Sequence, residues 1–591
     1  MFFTSSSTFK RSLAGLLFWF LTLGIVTSLA PNLSDVTTNE NEEFLPAAAE
    51  SVEAMELRAE KFPRGDGFPA LVVFSSQGDI EAKNQAVTSF TKIARSAGAP
   101  DAIQSVLSPG DSPAATATLN SEDGYTSMVV VTINGLPSNP PFQSAVEWLS
   151  DQAAESGGEF RDPQGQVIET AVTGPAGIII DAVKVFGQID VAITAATGVL
   201  VLFLLLLIYR SPVTALIPLV VIGSALALSQ AIAAMLADNF DLPLNGQITG
   251  IMSVLVFGVG TDYALFIVSR YREELVSQND KWLAMRSTMS RVGPSIAGSA
   301  GTTIVAMFAL TFSSYGSFSS LGPMLAMAIF VVLLSGIFVM PAVIALCGRW
   351  AFWPRPLIQR QSVSDSGFWG RVGQLVSRRP LLIFSITMIG IVIATIPAWS
   401  IKPSHNFLDG FPDDMESKVG YEMLAESFPP GTLAPTEIYI VSVEPNILSA
   451  VTEIDDLTDR LSEVEGVVAV SSPTRPAGRP VKSGQYLEEG GARFVSPDGS
   501  TARIDLVLED DPYSSASLTT ILRVREILSV TEFPTLLDPY TLVGGDTAIE
   551  MDTKAAIDAD VRWLAPVSII AIFMILILLL KSIIAPLYLV F

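Results

Sequence analysis

One acidic side chain stands out in this 591-residue chain because of where it lies. Asp262 sits in Gly258-Val-Gly-Thr-Asp-Tyr-Ala-Leu-Phe-Ile-Val-Ser-Arg-Tyr-Arg-Glu-Glu-Leu275, inside a long apolar run, and eight residues separate it from Arg270. Along a helix that is about 12 Å, and half of a bilayer's hydrocarbon core is about 15 Å, so the carboxyl belongs near the midplane. An acid at that depth costs at least about 2.5 kcal/mol on insertion scales and usually faces an ion or proton path. Burial disfavours its charged form, whereas a nearby hydroxyl or cation restores it. A carboxyl balanced between the two can take up and release a proton as its surroundings alternate. The structural alternative is an acid held in hydrogen bonds that merely lock helices together.

Gly250, Val254, Gly258 and Asp262 recur every four residues and share a helical face. Glycines there, with Gly260 beside them, let a neighbouring helix approach closely. Tyr263 follows Asp262 directly, and adjacent helical residues do not share a face. The tyrosine is therefore expected to reach a different span. Ser299, Thr302 and Thr303 in a later apolar run are possible relay hydroxyls, although Ser and Thr in membranes commonly bond back to their own helix. The segment Arg270–Leu275 reads as a solvated helix end that anchors its span. His405 reads as a loop residue and Cys347 as a packing residue.

The rest of the composition narrows the chemistry. Hydrophobic residues make up 49% of the chain and charged ones 16%, against about 25% charged in a soluble globular protein. There are 35 Lys plus Arg against 59 Asp plus Glu, a net charge of -24. That balance excludes the basic footprint that nucleic acid requires. One cysteine and one histidine exclude a disulfide framework and a multi-cysteine metal site. Neither Gly-x-x-x-x-Gly-Lys-[Ser/Thr] nor Gly-x-Ser-x-Gly occurs, so no nucleotide-hydrolysing or serine-hydrolase signature is present. No cofactor is expected, and the acid of the soluble parts reads as surface solubility.

Apolar runs, uncharged except for Asp262, lie near 12–30, 191–209, 213–236, 248–268, 296–314, 322–347, 380–401 and 563–580, each near the length of about 20 residues needed to span a bilayer. The first is longer than the apolar part of a signal peptide and reads as a retained span. Lys10, Arg11, Arg210, Arg270, Arg272, Lys281, Arg286, Arg291, Arg349, Arg355, Arg360, Arg371, Arg378 and Arg379 all fall on one side of these spans. The positive-inside rule makes that side cytoplasmic. The opposite side then receives two large acidic segments.

Those segments repeat one another. Phe62, Pro63, Gly65 and Pro69 recur as Phe428, Pro429, Gly431 and Pro435, displaced by 366 residues. Gly174, Asp181, Arg210, Ser211 and Leu216 recur as Gly545, Asp552, Lys581, Ser582 and Leu587, displaced by 371. Each segment reads as strand, helix, two strands, helix, strand. In the first, strands are expected near 70–75, within 102–118, and near 126–133 and 167–173, with helices near 80–96 and 142–156. In the second, the six elements are expected near 436–443, 447–463, 466–472, 492–507, 515–529 and 538–544. That order is the split βαβ arrangement, and duplicated halves are a recurring plan of secondary transporters. The expected fold is thus a multi-pass α-helical membrane protein with two duplicated α+β, ferredoxin-like domains outside the membrane. Its expected parts are residues 1–30 (tail and span one), 31–190 (first outer domain), 191–348 (spans two to six), 349–379 (cytoplasmic linker), 380–401 (span seven), 402–561 (second outer domain) and 562–591 (span eight and the start of span nine). Ala585-Pro-Leu-Tyr-Leu-Val-Phe591 begins to copy span three, which reads as a chain truncated after span eight.

The motif Gly258–Leu275, Phe428-Pro-Pro-Gly431, Gly301-Thr-Thr303 and Pro341 closing span six together resemble the MmpL branch of the resistance–nodulation–division superfamily. The resemblance covers the chain in span order and duplication. It implies proton-driven export of lipids or other hydrophobic compounds across a bacterial inner membrane, with porter domains outside it. It also implies that Asp262 and Tyr263 are half of a proton relay, whose other half would be an Asp-Tyr pair near position 633. The missing half-repeat, or a partner chain, would be needed to complete it. A protein-secretion motor of the same superfamily and a non-transporting lipid sensor or scaffold are the alternatives.

Overall fold

The computed structural model describes residues 5–31, 44–46, 48–62, 67–76, 78–135, 137, 139–161, 167–240, 242–244, 246–354, 368–400, 407–432, 434–476, 478 and 491–590. His405 lies outside them, as do Pro63 and Gly65 of the repeat.

Among the described residues eight helices are long and apolar enough to cross a membrane, and all eight expected spans coincide with one. Span one is α1 (Ser5–Leu29). It is followed by α2 (Glu50–Lys61), β1 (Phe68–Ser75), α3 (Ile80–Ala94), β2 (Ile103–Leu107), α4 (Pro113–Leu119), β3 (Thr126–Ile133), α5 (Pro140–Glu159) and β4 (Glu169–Thr173). Spans two to six are α6 (Gly174–Tyr209), α7 (Pro212–Phe240), α8 (Gly246–Ser277), α9 (Lys281–Ala309) and α10 (Gly316–Leu334), the last continued by α11 (Met340–Cys347). Then come α12 (Phe368–Arg378) and span seven, α13 (Pro380–Thr395). The second outer part holds α14 (Glu416–Ser427), β5 (Thr436–Val441), α15 (Val451–Ser462), β6 (Val467–Ser471), β7 (Thr501–Leu508), α16 (Ser515–Ser529) and β8 (Tyr540–Gly544). It runs into span eight, α17 (Asp546–Leu580), and α18 (Ile584–Val590).

The strands form two four-stranded sheets, ordered β2-β3-β1-β4 and β6-β7-β5-β8, with every neighbouring pair antiparallel. Both are the split βαβ order. The register slips at Ile103/Ser105 in one sheet and at Val467/Ala469 in the other. Gly174 and Gly545 start the helices that leave β4 and β8, with φ of 77° and 91°, a left-handed conformation open to glycine at no steric cost. One expected strand is shorter than read: the stretch 492–507 begins with a 3-10 turn at Gly491–Phe494, and pairing starts at Thr501.

Two helices that were not anticipated join the sheets. Each precedes the first strand of its own sheet but packs on the other. Ala54, Leu57 and Phe62, on and just after α2, bury against Tyr439, Val441 and Leu542 of β5 and β8. Leu424 of α14, with Phe428, buries against Val73 and Met128 of β1 and β3. Small residues permit both approaches: a Cβ on Gly544 would lie 2.9 Å from that of Ala54, and one on Gly420 would lie 2.9 Å from that of Thr173. Gly431 passes so close to the Leu508 backbone that any side chain would collide with it.

Helices α6 and α17 carry the chain from each sheet into the spans without a break. At 36 residues, α6 is about 54 Å long and joins the sheet to span two in one continuous helix. Within the spans the core gathers around spans three, four and six, of which 56%, 56% and 61% is buried; for span seven the figure is 0%.

Candidate functional site

Span four has two unlike faces. Met252, Val256, Gly260, Tyr263, Ile267 and Tyr271 are buried in the main membrane core. A Cβ on Gly260 would lie 2.7 Å from Ile222 of span three; glycine is what allows these two helices to touch. The other face carries Ile251, Val254, Gly258, Asp262 and Phe266, all exposed. Nothing lies within 4 Å of a Cβ built on Gly258. The four-residue recurrence of Gly250, Val254, Gly258 and Asp262 was expected to seat a neighbouring helix. Gly250 is buried, but from Val254 to Asp262 the face is open. A shared face follows from the spacing, whereas the side that packs is set by the neighbours, and they lie on the Gly260 side.

Asp262 and Tyr263 therefore point to different surroundings. Among the described residues Asp262 is exposed. Tyr263 is 3% exposed, and its ring packs on span six, where a Cβ on Gly336 would come within 3.0 Å of Cδ2. Among the described residues its buried hydroxyl has no hydrogen-bond partner, and an unsatisfied buried hydroxyl costs about 1–3 kcal/mol. Gly336 lies in a π-helical turn, Ser335–Val339. Pro341, expected to close span six, sits just after that turn while the helix continues to Cys347. Proline removes one backbone donor; here the π-turn precedes it within a continuing helix, and such turns recur at functional sites.

The hydroxyls of span five are committed to their own helix. Thr302 and Thr303 donate to the Ser299 carbonyl at 2.7 and 3.0 Å, and Ser299 is exposed. The structure does not hydrogen-bond these threonines to Asp262. The Arg270–Leu275 tail is not simply solvated. Tyr271 is fully buried and Glu274 is 7% exposed; Arg270 binds Glu273 and Glu274 at 2.6 and 2.7 Å, and Arg349 donates to the Leu275 carbonyl at 3.2 Å.

Sequence reasoning missed Asp560. It is 1% exposed and accepts the Ser313 hydroxyl and the backbone N–H groups of Ser314 and Tyr315, each at 3.0 Å. These groups precede α10, so the carboxylate occupies the positive end of span six, where anions are stabilised. Asp560 is carried on α17. It thereby ties the helix descending from β8 to the span whose π-turn touches Tyr263. Its signal was its position, an acid directly ahead of the apolar run 563–580, facing a Ser-Ser-Tyr-Gly-Ser sequence that reads as a helix start.

The MMPL family model matches residues 43–383 and 409–591. The chain belongs to the MMPL family. This MMPL protein is 34% identical to a putative membrane protein of Streptomyces coelicolor, over 98% of this chain and 66% of the relative. It is 28% identical to the apo-petrobactin exporter of Bacillus anthracis, over 97% of this chain and 76% of that protein. With the sulfolipid-1 exporter MmpL8 of Mycobacterium tuberculosis it shares 29% identity, over 58% of this chain and 32% of the exporter. The first relative and the eight apolar helices agree on a multi-pass membrane protein.

Proposed function

We propose that this MMPL protein works as a secondary transporter that uses the proton gradient to export lipids or other hydrophobic small molecules, with Asp262 as the proton carrier. The observation that carries this reading is the placement of Asp262: a carboxyl at bilayer depth on the open face of a span whose other face is tightly packed. A purely structural acid would sit in hydrogen bonds inside the core. The names of two relatives, an apo-petrobactin exporter and a sulfolipid-1 exporter, support export and a bulky or lipid-like cargo. In this reading a segment or partner chain covers the open face of span four, and protonation of Asp262 selects between two packings of that contact. Tyr263 couples the change to the π-turn of span six, and Asp560 passes it to α17 and the second sheet. The N-terminus lies in the cytoplasm, and both sheets are porter domains on the far side of the membrane. The equal strand orders, the matching register slips and the left-handed pairs Gly174/Gly545 and Arg210/Lys581 support a duplication.

The test is transport by the complete protein in proteoliposomes under an imposed pH step. Asp262→Asn is expected to bind substrate normally and to abolish gradient-dependent efflux. Efflux equal to the wild type would refute the proposal.

A further inference from the structure

Two polar junctions tie the crossing helices to the opposite sheets, and the one under α2 holds an arginine that the other lacks. Where α2 meets the second sheet, Glu50 accepts the Val543 N–H at 2.8 Å and the Ser51 N–H donates to Asp552 at 3.0 Å. Arg525 of α16 lies between these acids. Its Nε is 2.8 Å from Glu50 Oε2, and Nη1 and Nη2 are 2.9 and 3.3 Å from the Asp552 oxygens. The guanidinium bridges both carboxylates with its single charge, and burial still holds the Glu50 carboxyl above its usual range.

Where α14 meets the first sheet, the same scaffold recurs. Glu416 accepts the Val172 N–H at 3.0 Å, and the Ser417 N–H donates to Asp181 at 2.9 Å. Glu416 and Ser417 stand 366 residues beyond Glu50 and Ser51, and Val543 and Asp552 stand 371 beyond Val172 and Asp181. Strands β3 and β7 start 375 residues apart, at Thr126 and Thr501, as do helices α5 and α16, at Pro140 and Ser515. That register places Ser150 at the position of Arg525. The Ser150 hydroxyl donates to Glu416 at 2.7 Å but brings no charge. Beside it opens a cavity of about 310 Å³, lined among others by Glu416, Asp181, Asp151, Glu147 and Lys184. Lys184 is turned to Glu147 at 3.3 Å. Burial pushes the Glu416 carboxyl above the usual range, against the pull of Ser150, the Val172 N–H and the Lys184 ammonium, and Asp181 adds to the rise.

We propose that this cavity binds an organic cation bearing a guanidinium or primary ammonium group, which fills the place that the Arg525 side chain fills in the other half. The equivalents of the carboxylates facing it already ligate a guanidinium, and the second junction shows the geometry. Ionised N–H donors on carboxylates form short hydrogen bonds about twice as strong as neutral ones, and a planar fork suits two acids. The volume lies at the small end of ligand sites, about 300–1,000 Å³, and matches a short alkylguanidinium. A divalent metal is a poorer match, since the described residues contain no group of three or more metal-ligating side chains. The inference does not depend on proton coupling at Asp262.

The probe is agmatine, titrated against the whole chain in detergent micelles, with thermal unfolding as the readout and choline at equal ionic strength as the control that lacks N–H donors. The wild type is expected to show a saturable rise in melting temperature with agmatine and none with choline. Ser150→Arg, which supplies the guanidinium internally, is expected to melt higher without ligand and to lose the agmatine response. Glu416→Gln is expected to weaken agmatine at least tenfold. No saturable response in the wild type, an equal response to choline, or an undiminished response in Ser150→Arg would overturn the proposal.

Discussion

Outside the membrane each half of this protein covers the other, whereas within the membrane one face of the central span is left open. The sheets exchange helices: α2 seals the second and α14 the first. Both seals combine an apolar cluster with a polar junction. Under α14 the cluster is built from Val73, Met128, Leu424 and Phe428. Under α2 the cluster of Ala54, Leu57, Phe62, Tyr439, Val441 and Leu542 is joined by a buried ion pair: Glu437, 3% exposed, accepts the Tyr439 hydroxyl at 2.5 Å and faces Arg58 at 3.2 Å and Arg503 at 3.9 Å. In span four the asymmetry is between faces, Tyr263 packed and Asp262 open. The sheet contacts are closed, and the carboxyl of Asp262 is open.

The buried ion pair under α2 is the first place to break that contrast. Glu437→Ala takes the acid from Arg58, while Arg503 keeps Asp505 at 2.9 Å, and is expected to cost about 3 kcal/mol, the lower end of the range for removing one partner of a buried pair. The loss would appear as a lower urea midpoint of the whole chain. Phe428→Ala opens a cavity in the apolar cluster under α14, at an expected cost of about 3 kcal/mol in the same assay. Next comes span six: Gly336→Leu forces atoms into the Tyr263 ring, and overpacking of this kind costs about 1–3 kcal/mol, measurable as a lower melting temperature in micelles.

A smaller effect depends on pH. At low pH Glu416 is protonated in the folded and unfolded chain alike and favours neither. Once pH passes the ordinary carboxylate range the unfolded chain ionises while the buried Glu416 still holds its proton, so the folded state loses stability until pH reaches its raised value and the loss levels off. Wild-type stability is therefore expected to fall relative to Glu416→Gln as pH increases from the ordinary carboxylate range upward. A constant difference between the two proteins across a pH series of melting curves would contradict this. The smallest structural effect is expected for Asp262→Asn. Its side chain is exposed on span four, and melting should stay within about 0.5 kcal/mol of the wild type, the range for substitutions away from packed features.

The spans and strands were legible because apolar runs and alternation report directly on lipid and sheet. Gly174 and Gly545, matched in sequence by the 371-residue displacement, both adopt positive φ. Three features were not legible. Helix α2 is rich in Glu and sits ahead of its own sheet, but its apolar side meets strands nearly 400 to 500 residues away, as in the pairing of Leu57 with Leu542. The recurrence that grouped Gly258 with Asp262 fixed a shared face without fixing which side packs, a matter decided by Ile222 against Gly260. Asp560 bonds backbone N–H groups near residue 314, a partnership that leaves no pattern in side-chain types.

The most direct measurement is the uptake of protons that accompanies efflux in proteoliposomes holding the complete protein, wild type or Asp262→Asn, at equal reconstituted density. Coupled proton and substrate fluxes in the wild type, and neither in a variant that still melts normally and binds substrate, is the predicted result. Proton flux that persists in the variant would place the carrier elsewhere and contradict the role assigned to Asp262.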